Sequence, residues 1–470
     1  MALNIKSIGF DELQDANRFD ARYFFLQDTI ERFSKNKNIQ LVDLGEKELL
    51  LEITDGEHAG QTFVDDGVRF IKNSCVKDFD ISLTDGFYIT EYKHSLLQRS
   101  ALKSNDILFT TIGHLGSATI VPENFGEANI NQNLVRMKIN DATIDPYYLA
   151  AFLNSSFVRK QIDCLFTGNI QKILTYPKIK KIKIIRAKDA IQKQVRKYYL
   201  EAIKYGNDAL ESIVCAKNTI RIQLGLDAFS PLNNFSYEVD YNAVENGLWI
   251  PKYYYPKYVS TIEYLQSNFK CKPLSKLIKY KSGDEVGSDS YNSYLDKKDT
   301  DVPFIRTSDI YNYQYDICPD NFVDFETYED LQQKIEVGDI LFSNDGKIGM
   351  ITMISQDNPI IVQSHINIIK LNTTEITPEY LYAMLMIEEV NSYQSDKCTV
   401  IQSTIPTLAK RLNEFIIPIL DNGVIAEVTD LIKQANQLFD KKRDKIKEIQ
   451  NLIEQLIIDS VDQGEVQEKL

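Results

Sequence analysis

The sequence predicts a mixed α/β protein with two similar domains, each followed by a long coiled-coil helix. Two observations support this prediction. The second half of the chain repeats the first at an offset of about 233 residues, and each half ends in a long apolar stripe at helical spacing. With 470 residues, 43% apolar and 26% charged, the chain can form about two to four cores and lacks the composition of a disordered protein.

The repeat is clearest at a strand and the turn after it. Residues 104–121, SNDILFTTIGHLGSATIV, align without a gap on residues 337–354, VGDILFSNDGKIGMITMI, with seven identities in 18 positions. In both copies Asp-Ile-Leu-Phe predicts a buried strand, and Gly-x-x-Gly predicts a tight turn that needs positive φ angles or close backbone approach. A second matching block, residues 144–153 and 376–385, places a proline at the start of an amphipathic helix.

Two apolar stripes recur in the same register and predict two long helices that pack antiparallel as a coiled coil. We expect them to relate the domains as a pseudo-twofold repeat and to hold them a fixed distance apart. Lys442 and Gly206 interrupt the stripes and are expected to fix register rather than to do chemistry. The stripes are Val195, Tyr199, Ala202, Gly206, Ala209, Ile213, Ala216 and Ile220, and Val428, Ile432, Ala435, Phe439, Lys442, Ile446, Ile449, Ile453 and Leu456.

The domain boundaries follow from the repeat and the stripes. They are residues 1–187 for the first domain, 188–226 for the central helix, 227–420 for the second domain, 421–458 for the C-terminal helix and 459–470 for a polar tail.

Composition and missing motifs exclude several classes of protein. The formal net charge of −14 argues against a chain coated in positive charge. Six scattered cysteines without a C-x-x-C pair indicate neither a zinc ribbon nor a disulfide framework, and no secretory signal or apolar membrane span is present, so we expect a cytoplasmic protein. The GxxxxGK[ST] and GxGxxG motifs are also missing, which disfavours nucleotide motors and dinucleotide enzymes. The four histidines show no metal-ligand spacing, so we expect no catalytic site and no metal or cofactor on this chain.

Two segments are locally basic despite the negative net charge. Residues 172–197 hold ten Lys or Arg against one acid, and residues 252–281 hold seven Lys against one acid, interleaved with tyrosines. Such segments are typical of phosphate contact and base stacking. The alternation of Lys and Ile in residues 177–185 is equally typical of one half-buried strand.

Polar side chains that can pair with base edges occupy equivalent places in the two halves. Amides can pair with adenine and Lys with guanine, although each of these residues could also be an ordinary turn or cap residue. Because these side chains differ between the halves while the surrounding sequence matches, we expect the two domains to recognise different target sequences. The candidate DNA-binding residues are Thr110, Thr111, His114, Asn131, Gln132, Asn133, Gln171, Lys172, Lys178, Lys180 and Lys181, and Ser343, Asn344, Asp345, Lys347, Gln363, Ser364, His365, Gln402, Ser403 and Thr404.

Together these features resemble the specificity subunit of type I restriction-modification systems, over nearly the whole chain. The resemblance rests on the duplicated strand and turn, the duplicated Pro-x-Tyr-Leu helix, the two long helices, and the aromatic segments NRFDARYFF (17–25) and GLWIPKYYYPKY (247–258) that open the halves.

The resemblance implies that each α/β half is a target recognition domain for one half of a bipartite, asymmetric sequence in double-stranded DNA. The long helices would act as a ruler and dock two methyltransferase (modification) subunits, and restriction/translocase subunits would join them. S-adenosylmethionine, Mg²⁺ and ATP would belong to those partners, which leaves this chain non-catalytic. Two alternatives stay open: the recognition subunit of a type IIB-like enzyme, and a structural adaptor whose duplicated domains bind protein rather than DNA.

Overall fold

A computed structural model describes residues 7–16, 19, 21–36, 39–58, 61–84, 86–166, 172–234, 236–245, 247–287, 291–293, 298, 300–316 and 318–460. The chain divides into two units. The first unit comprises Met1–Ile203 with Asp444–Leu470, and the second comprises Lys204–Arg443. Each long helix therefore contributes a part to both units.

The described residues form thirteen α-helices, two of them much longer than the rest. They are α1 Phe10–Ala16, α2 Ala21–Lys35, α3 Glu91–Leu96, α4 Pro146–Leu153, α5 Ser156–Leu165, α6 Tyr176–Ile179, α7 Asp189–Gln223, α8 Tyr241–Glu245, α9 Pro256–Asn268, α10 Phe325–Leu331, α11 Pro378–Met384, α12 Ser392–Cys398 and α13 Asn422–Ser460.

The strands are short and fall into two sets, one in each unit. Those of the first unit are β1 Gln40–Asp43, β2 Leu50–Asp55, β3 Val68–Ile71, β4 Val76–Lys77, β5 Asp80–Ile81, β6 Tyr88–Ile89, β7 Ile107–Thr110, β8 Ala118–Ile120, β9 Ala128–Ile130, β10 Leu134–Ile139 and β11 Lys183–Arg186. Those of the second unit are β12 Cys271–Pro273, β13 Ile278–Ser282, β14 Asn292–Ser293, β15 Val302–Ile305, β16 Ile310–Tyr311, β17 Gln314–Tyr315, β18 Asn321–Val323, β19 Ile340–Ser343, β20 Ile351–Met353, β21 Ile361–Val362, β22 Ile366–Leu371, β23 Val400–Gln402, β24 Ile405–Thr407 and β25 Ile416–Pro418.

The two units share one sheet topology. In the first unit an antiparallel sheet has the order β2-β10-β7-β8, and β3 lies between β6 and a parallel β9. In the second unit the corresponding sheet has the order β13-β22-β19-β20, and β15 lies between β18 and a parallel β21. The pairs β1-β11 and β12-β25 are also equivalent. The predicted mixed α/β fold with an internal repeat is confirmed.

The repeated sequence blocks form the elements predicted for them. The four residues of β7 and of β19 are all buried, as expected for an apolar run in the middle of a sheet. Helices α4 and α11 each begin at the predicted proline. The Asp145 side chain accepts hydrogen bonds from the first-turn amides of α4, and the Thr377 hydroxyl accepts one from the first turn of α11.

The apolar stripes of the long helices are buried within each unit, except at the end of the second stripe, where Leu456 is half-buried and Ile457 is buried instead. In the first unit Val195 and Tyr199 of α7 and Ile449 of α13 are buried. In the second unit the stripes of both helices share one hydrophobic cluster with the α/β core. There α7 and α13 run antiparallel: Lys442 packs over Gly206, and Thr219 donates a hydrogen bond to Glu427 across 3.1 Å. Glycine at residue 206 leaves room for the long lysine side chain.

Candidate nucleic-acid interface

A glycine loop connects the two central strands of the second unit. We use this name for residues 344–350, between β19 and β20. The buried Ser343 hydroxyl accepts a hydrogen bond from the Met350 amide (2.8 Å) and donates one to the Lys347 carbonyl (2.6 Å), which closes the loop. Gly346 and Gly349 have φ angles of 71° and 85°, so the predicted positive φ angles are confirmed.

Two other predicted clusters lie against this loop. The Gly346 amide donates to the Pro406 carbonyl (2.9 Å) and the Leu408 amide to the Asn344 carbonyl (3.1 Å), which attaches the β23–β24 hairpin. The Asn344 amide donates to the His365 carbonyl (2.8 Å), which attaches the turn between β21 and β22. Three sequence segments that carry candidate residues therefore converge on one face of the second unit.

A network of polar side chains fixes the orientation of this surface. Asn367 donates through Nδ2 to Asn344 Oδ1, and Asn344 donates through Nδ2 to Asp345 Oδ1, each across 3.1 Å. The Asp345 Oδ2 atom lies 3.1 Å from Nδ1 of His365. Each member holds the next, so the half-buried Asp345 and His365 side chains present defined polar atoms at the edge of the loop.

The tip of the β23–β24 hairpin is exposed on both of its faces. Gln402 pairs with Ile405, and a two-residue turn, Ser403–Thr404, connects them, with Ser403 at a φ of 59°. Ile401, on the opposite face of the ribbon from Gln402, is also exposed. The hairpin thus presents amide, hydroxyl and aliphatic groups together.

The first unit builds the same frame with other side chains. Its glycine loop comprises residues 111–117, between β7 and β8. The Thr110 hydroxyl accepts from the Ser117 amide (2.9 Å), as Ser343 accepts from Met350. The Thr111 amide donates to the Asn133 carbonyl (3.0 Å), and the Leu174 amide donates to the Thr111 carbonyl (2.9 Å). The turn before β10 and the segment before α6 therefore contact this loop, as the turn before β22 and the β23–β24 hairpin contact the loop of the second unit.

The candidate residues differ in what they present to solvent. Those with exposed side chains are His114, Lys172, Lys180, Lys181, Lys347, Gln402, Ser403 and Thr404, and those with half-buried side chains are Gln132, Asn133, Lys178, Asp345, Gln363, Ser364 and His365. Base contact was expected only from exposed loop residues. Five candidates are buried. Four of them make hydrogen bonds within or to the glycine loops, namely Thr110, Thr111, Ser343 and Asn344. The fifth, Asn131, bonds through its backbone to Ile71 and Leu134 instead. Gln171 lies outside the described residues.

The lysine-rich segment of the first unit is not one strand. Lys178 lies in helix α6, Lys180 and Lys181 lie in the turn after it, and only Lys183–Arg186 is extended. The interpretation of residues 177–185 as a single strand is therefore wrong for most of that segment. Two lysines in the turn project into solvent and remain available for phosphate contact.

Ion pairs occupy part of the second basic segment. Lys252 pairs with Asp396 across 2.7 Å, and Lys270 and Lys272 both pair with Glu375. Nearby carboxylates reduce the attraction of these lysines for phosphate. Lys279 and Lys281, on β13, are exposed. The basic surface of the second unit is therefore smaller than the composition of the segment indicates.

Sequence reasoning missed three residues that support the candidate interface, namely Asp284, Glu285 and Asn73. Ser364 donates through its hydroxyl to Glu285 (3.0 Å) and through its amide to the Asp284 carbonyl (3.1 Å). Asn73 donates through Nδ2 to the Ile112 carbonyl (3.4 Å) in the first unit. These contacts join residues tens of positions apart and leave no local pattern in the sequence.

A lysine beside Asn73 lies in an apolar setting. The Lys72 ammonium is 3.3 Å from the centroid of the Phe87 ring and 4.4 Å from that of Phe63. Burial lowers the pKa of Lys72. The Lys72 ammonium therefore lies against two aromatic faces, and such faces attract a cation.

Within the described ranges, no three His, Cys, Asp or Glu side chains are grouped closely enough to hold a metal ion. None of the helices in those ranges has the length and apolarity that a bilayer span requires.

The fold is a duplicated α/β protein, and in each unit polar loops converge on one candidate surface. Residues 267–448 match the family model for the type I restriction modification DNA specificity domain. The matched part of the chain contains the glycine loop and the hairpin of the second unit. The resemblance predicted from the sequence is confirmed.

Solved structures show similar chains. The S subunit of a type I restriction-modification system from M. genitalium is 15% identical with a TM-score of 0.32, covering 90% of this chain and 96% of that one. The HsdS subunit from Thermoanaerobacter tengcongensis is 13% identical with a TM-score of 0.29, covering 91% and 97%. The type IIG restriction endonuclease BpuSI is 9% identical with a TM-score of 0.30, covering 40% and 30%. No curated protein matches the chain.

Proposed function

We propose that this chain is the non-catalytic specificity subunit of a type I restriction-modification complex and reads a bipartite, asymmetric sequence in double-stranded DNA, one half-site per unit. One observation carries the proposal: both units build the same loop frame and place different side chains on it. His114 of the first glycine loop is exposed where the second loop exposes Lys347, and Gln132 corresponds to Ser364. The two glycine loops have the same backbone arrangement and different exposed side chains, which suits two half-sites of different sequence.

The chemistry of the second unit fits the major groove. A two-stranded ribbon can enter a groove about 12 Å wide, and the β23–β24 hairpin is such a ribbon, exposed at its tip. The Gln402 amide can pair bidentately with adenine, and an exposed isoleucine can contact a thymine methyl group. Lys347 on the adjacent loop suits guanine or phosphate.

The remaining parts of the function depend on partner subunits. In this proposal two methyltransferase (modification) subunits dock on the chain and bring S-adenosylmethionine, and restriction/translocase subunits bring the chemistry that needs ATP and Mg²⁺. The complex works in the cytoplasm, where host DNA and entering DNA are both found. Partner subunits that surround the duplex would supply the wider positive field that a chain of net charge −14 lacks.

The test is to purify the full chain with its methyltransferase subunit and map the adenines that the complex modifies. We expect methylation within two unequal half-sites separated by a spacer of fixed length. Modification at a continuous palindrome would contradict the proposal.

The adaptor alternative is tested by salt. DNA affinity of the complex should fall steeply between 50 mM and 200 mM salt, because phosphate contacts release counterions. If the domains bound protein and not DNA, the complex would show no DNA affinity above that of the methyltransferase subunit alone.

A further inference from the structure

A series of hydrogen-bonded side chains, the asparagine network, runs from the interior of the second unit to its surface. The Ser282 hydroxyl donates to Asn367 Oδ1, and Asn367 Nδ2 donates to Asn344 Oδ1, each across 3.1 Å. Asn344 Nδ2 donates to Asp345 Oδ1, and Asp345 Oδ2 lies near Nδ1 of His365, again each at 3.1 Å. Asn367 is 1% exposed, Asn344 is 8% exposed and the His365 side chain is 40% exposed. The network therefore ends on an imidazole at the surface.

The first unit has apolar side chains at two of the same places. Val135 pairs with both β2 and β7, in the register in which Asn367 pairs with β13 and β19. Val135 is likewise 1% exposed. In the aligned glycine loops, Asp345 corresponds to Ile112. This sheet and loop can therefore be built without an asparagine and an aspartate at these positions.

Stability alone does not account for Asn367. Burying an amide costs free energy unless its hydrogen bonds are satisfied, and a valine fills the equivalent place in the first unit without that cost. What the asparagines add is direction, because each amide fixes the orientation of the next acceptor. The network thus has the properties expected of a support for the surface residue at its end.

The network also assigns the proton on the His365 ring. An ionised carboxylate only accepts hydrogen bonds, so Nδ1 of His365 carries the proton that it donates to Asp345. In the neutral ring the other nitrogen, Nε2, is then an acceptor. Among the residues that the structure describes, Nε2 has no hydrogen-bond partner. The surface of the second unit therefore presents an acceptor in a fixed orientation.

Two base groups in the major groove complement such an acceptor. They are the N6 amine of adenine and the N4 amine of cytosine, whereas guanine and thymine present only acceptors and a methyl group there. His365 is attached to the glycine loop through its carbonyl, which accepts from the Asn344 amide, and the same loop holds the β23–β24 hairpin through Gly346. The acceptor thus lies on the surface that faces DNA in the proposed function.

We propose that His365 is a specificity-determining residue of the second unit and that its Nε2 accepts a hydrogen bond from the exocyclic amine of an adenine or a cytosine. Asn344 and Asn367 are positioning residues that act through Asp345. The inference rests on the proposed function, because it names a chemical group that one of the two recognition surfaces reads. It predicts discrimination against guanine and thymine at one base of one half-site.

The experiment uses the complex of the full chain with its methyltransferase subunit and the target found by methylation mapping. Each adenine of both half-sites is replaced in turn by purine and each cytosine by 2-pyrimidinone, which removes only the exocyclic amine. Dissociation constants are measured at pH 8.5, where a histidine is ordinarily neutral. We expect His365→Ala to reduce the penalty of one replacement about five- to tenfold relative to wild type. Comparing the two proteins cancels the effect of the analogue on base pairing.

Two further variants test the positioning. Asp345→Asn offers the ring an amide that can also donate, so Nε2 is no longer held as an acceptor and the same penalty should fall about threefold or more. Asn344→Thr combined with Asn367→Val gives the interior the side chains of the first unit, and it should lower that penalty without lowering the temperature of thermal unfolding. A purely structural role would weaken binding equally on the natural and the replaced duplex. His114→Ala, in the first unit, is the control and should leave this penalty unchanged.

Each result decides the inference or the proposed function. A penalty that His365→Ala leaves unchanged at every replaced base would overturn the inference while the specificity function stands. Equal weakening on all duplexes would make His365 a phosphate contact, and an effect seen only when guanine is replaced by 7-deazaguanine would make the ring a donor; either result also overturns the inference. A wild-type complex that modifies no pair of unequal half-sites would overturn the proposed function itself.

Discussion

Asp106 and Arg136 form a buried ion pair in the first unit, with Oδ2 and Nη1 3.2 Å apart and the side chains only 3% and 4% exposed. Asp106 immediately precedes β7, and Arg136 lies on the neighbouring strand β10. The second unit has an equivalent pair, Asp339 and Lys370, with Oδ2 and Nζ 3.1 Å apart. The strands that carry the two glycine loops are thus tied to their neighbours in the same way.

The first prediction concerns the stability of this pair. Arg136→Met leaves a buried carboxylate without its guanidinium and should destabilise the first unit by about 3 kcal/mol. The midpoint of urea unfolding measures the loss. Lys183→Met is the control, because its pair with Asp43 is solvent-exposed and should be worth less than about 1 kcal/mol.

The same variant should depend on pH in a defined direction. Burial raises the pKa of Asp106, and hydrogen bonds from the Lys103 amide and Arg136 oppose that rise. Without Arg136 the pKa rises further, so the folded state binds the proton more tightly than the unfolded chain does, and stability falls as pH increases from about 4. The deficit relative to wild type should be smaller at pH 5 than at pH 8; equal deficits would contradict this account.

The second prediction separates support of a loop from contact with DNA. Ser343→Ala leaves the Met350 amide without its acceptor, which costs about 1–3 kcal/mol of loop stability. Hydrogen exchange at Met350 should accelerate, and affinity should fall for one half-site only. Ser343→Thr is the matched control, because the Thr110 hydroxyl accepts the equivalent hydrogen bond in the first unit. This variant should keep both the slow exchange at Met350 and the affinity for the half-site.

The third prediction concerns direct reading by the hairpin. If Gln402 contacts a base edge, Gln402→Ala should reduce discrimination at one base pair by about 1–3 kcal/mol. Binding is measured on duplexes substituted at every position of both half-sites. His114→Ala in the first unit should relax only the other half-site. Uniform weakening on every duplex would instead indicate contact with phosphate.

The fourth prediction concerns the two long helices and the length of the DNA spacer between the half-sites. Inserting four residues, about one turn, into both α7 and α13 lengthens each helix by about 6 Å, or about two base pairs of DNA. The modified sites should then carry a spacer about two base pairs longer, as read by methylation mapping. An unchanged spacer would exclude the helices as the determinant of spacing.

The fifth prediction concerns cysteine reactivity. Burial raises the pKa of the Cys398 thiol to about 12 and that of Cys271 to about 11, so both thiols stay protonated at pH 8. Cys215 is exposed on α7. Iodoacetamide should alkylate Cys215 first in the folded chain and reach Cys398 only after denaturation, which peptide mass spectrometry can follow. Rapid labelling of Cys398 in the native chain would contradict its burial.

Local sequence patterns predicted the frame of each unit correctly. Asp-Ile-Leu-Phe gave the buried strands β7 and β19, and the glycines after them have the positive φ angles expected. Proline marked the starts of α4 and α11. Such features depend on residues within a few positions of one another, so they can be predicted without the tertiary structure.

The candidate interface could be predicted only in part, because it depends on contacts between residues far apart in the sequence. Thr110 and Ser343 have the chemistry of a base contact, but both are buried and hold their loops through hydrogen bonds to amides seven residues later. Lys270 and Lys272 count as positive charge in the sequence, yet Glu375, about a hundred residues away, pairs with both. Whether a polar side chain faces solvent depends on long-range packing.

By itself the sequence determined the duplication, the type of each repeated element and the apolar stripes of the two long helices, because hydrophobic period and turn chemistry are local properties. Tertiary structure alone decided that the glycine loop, the turn before β22 and the β23–β24 hairpin meet on one face of the second unit. The backbone hydrogen bonds that join them close distances of about 20 to 60 residues along the chain, and no short-range pattern encodes such pairings.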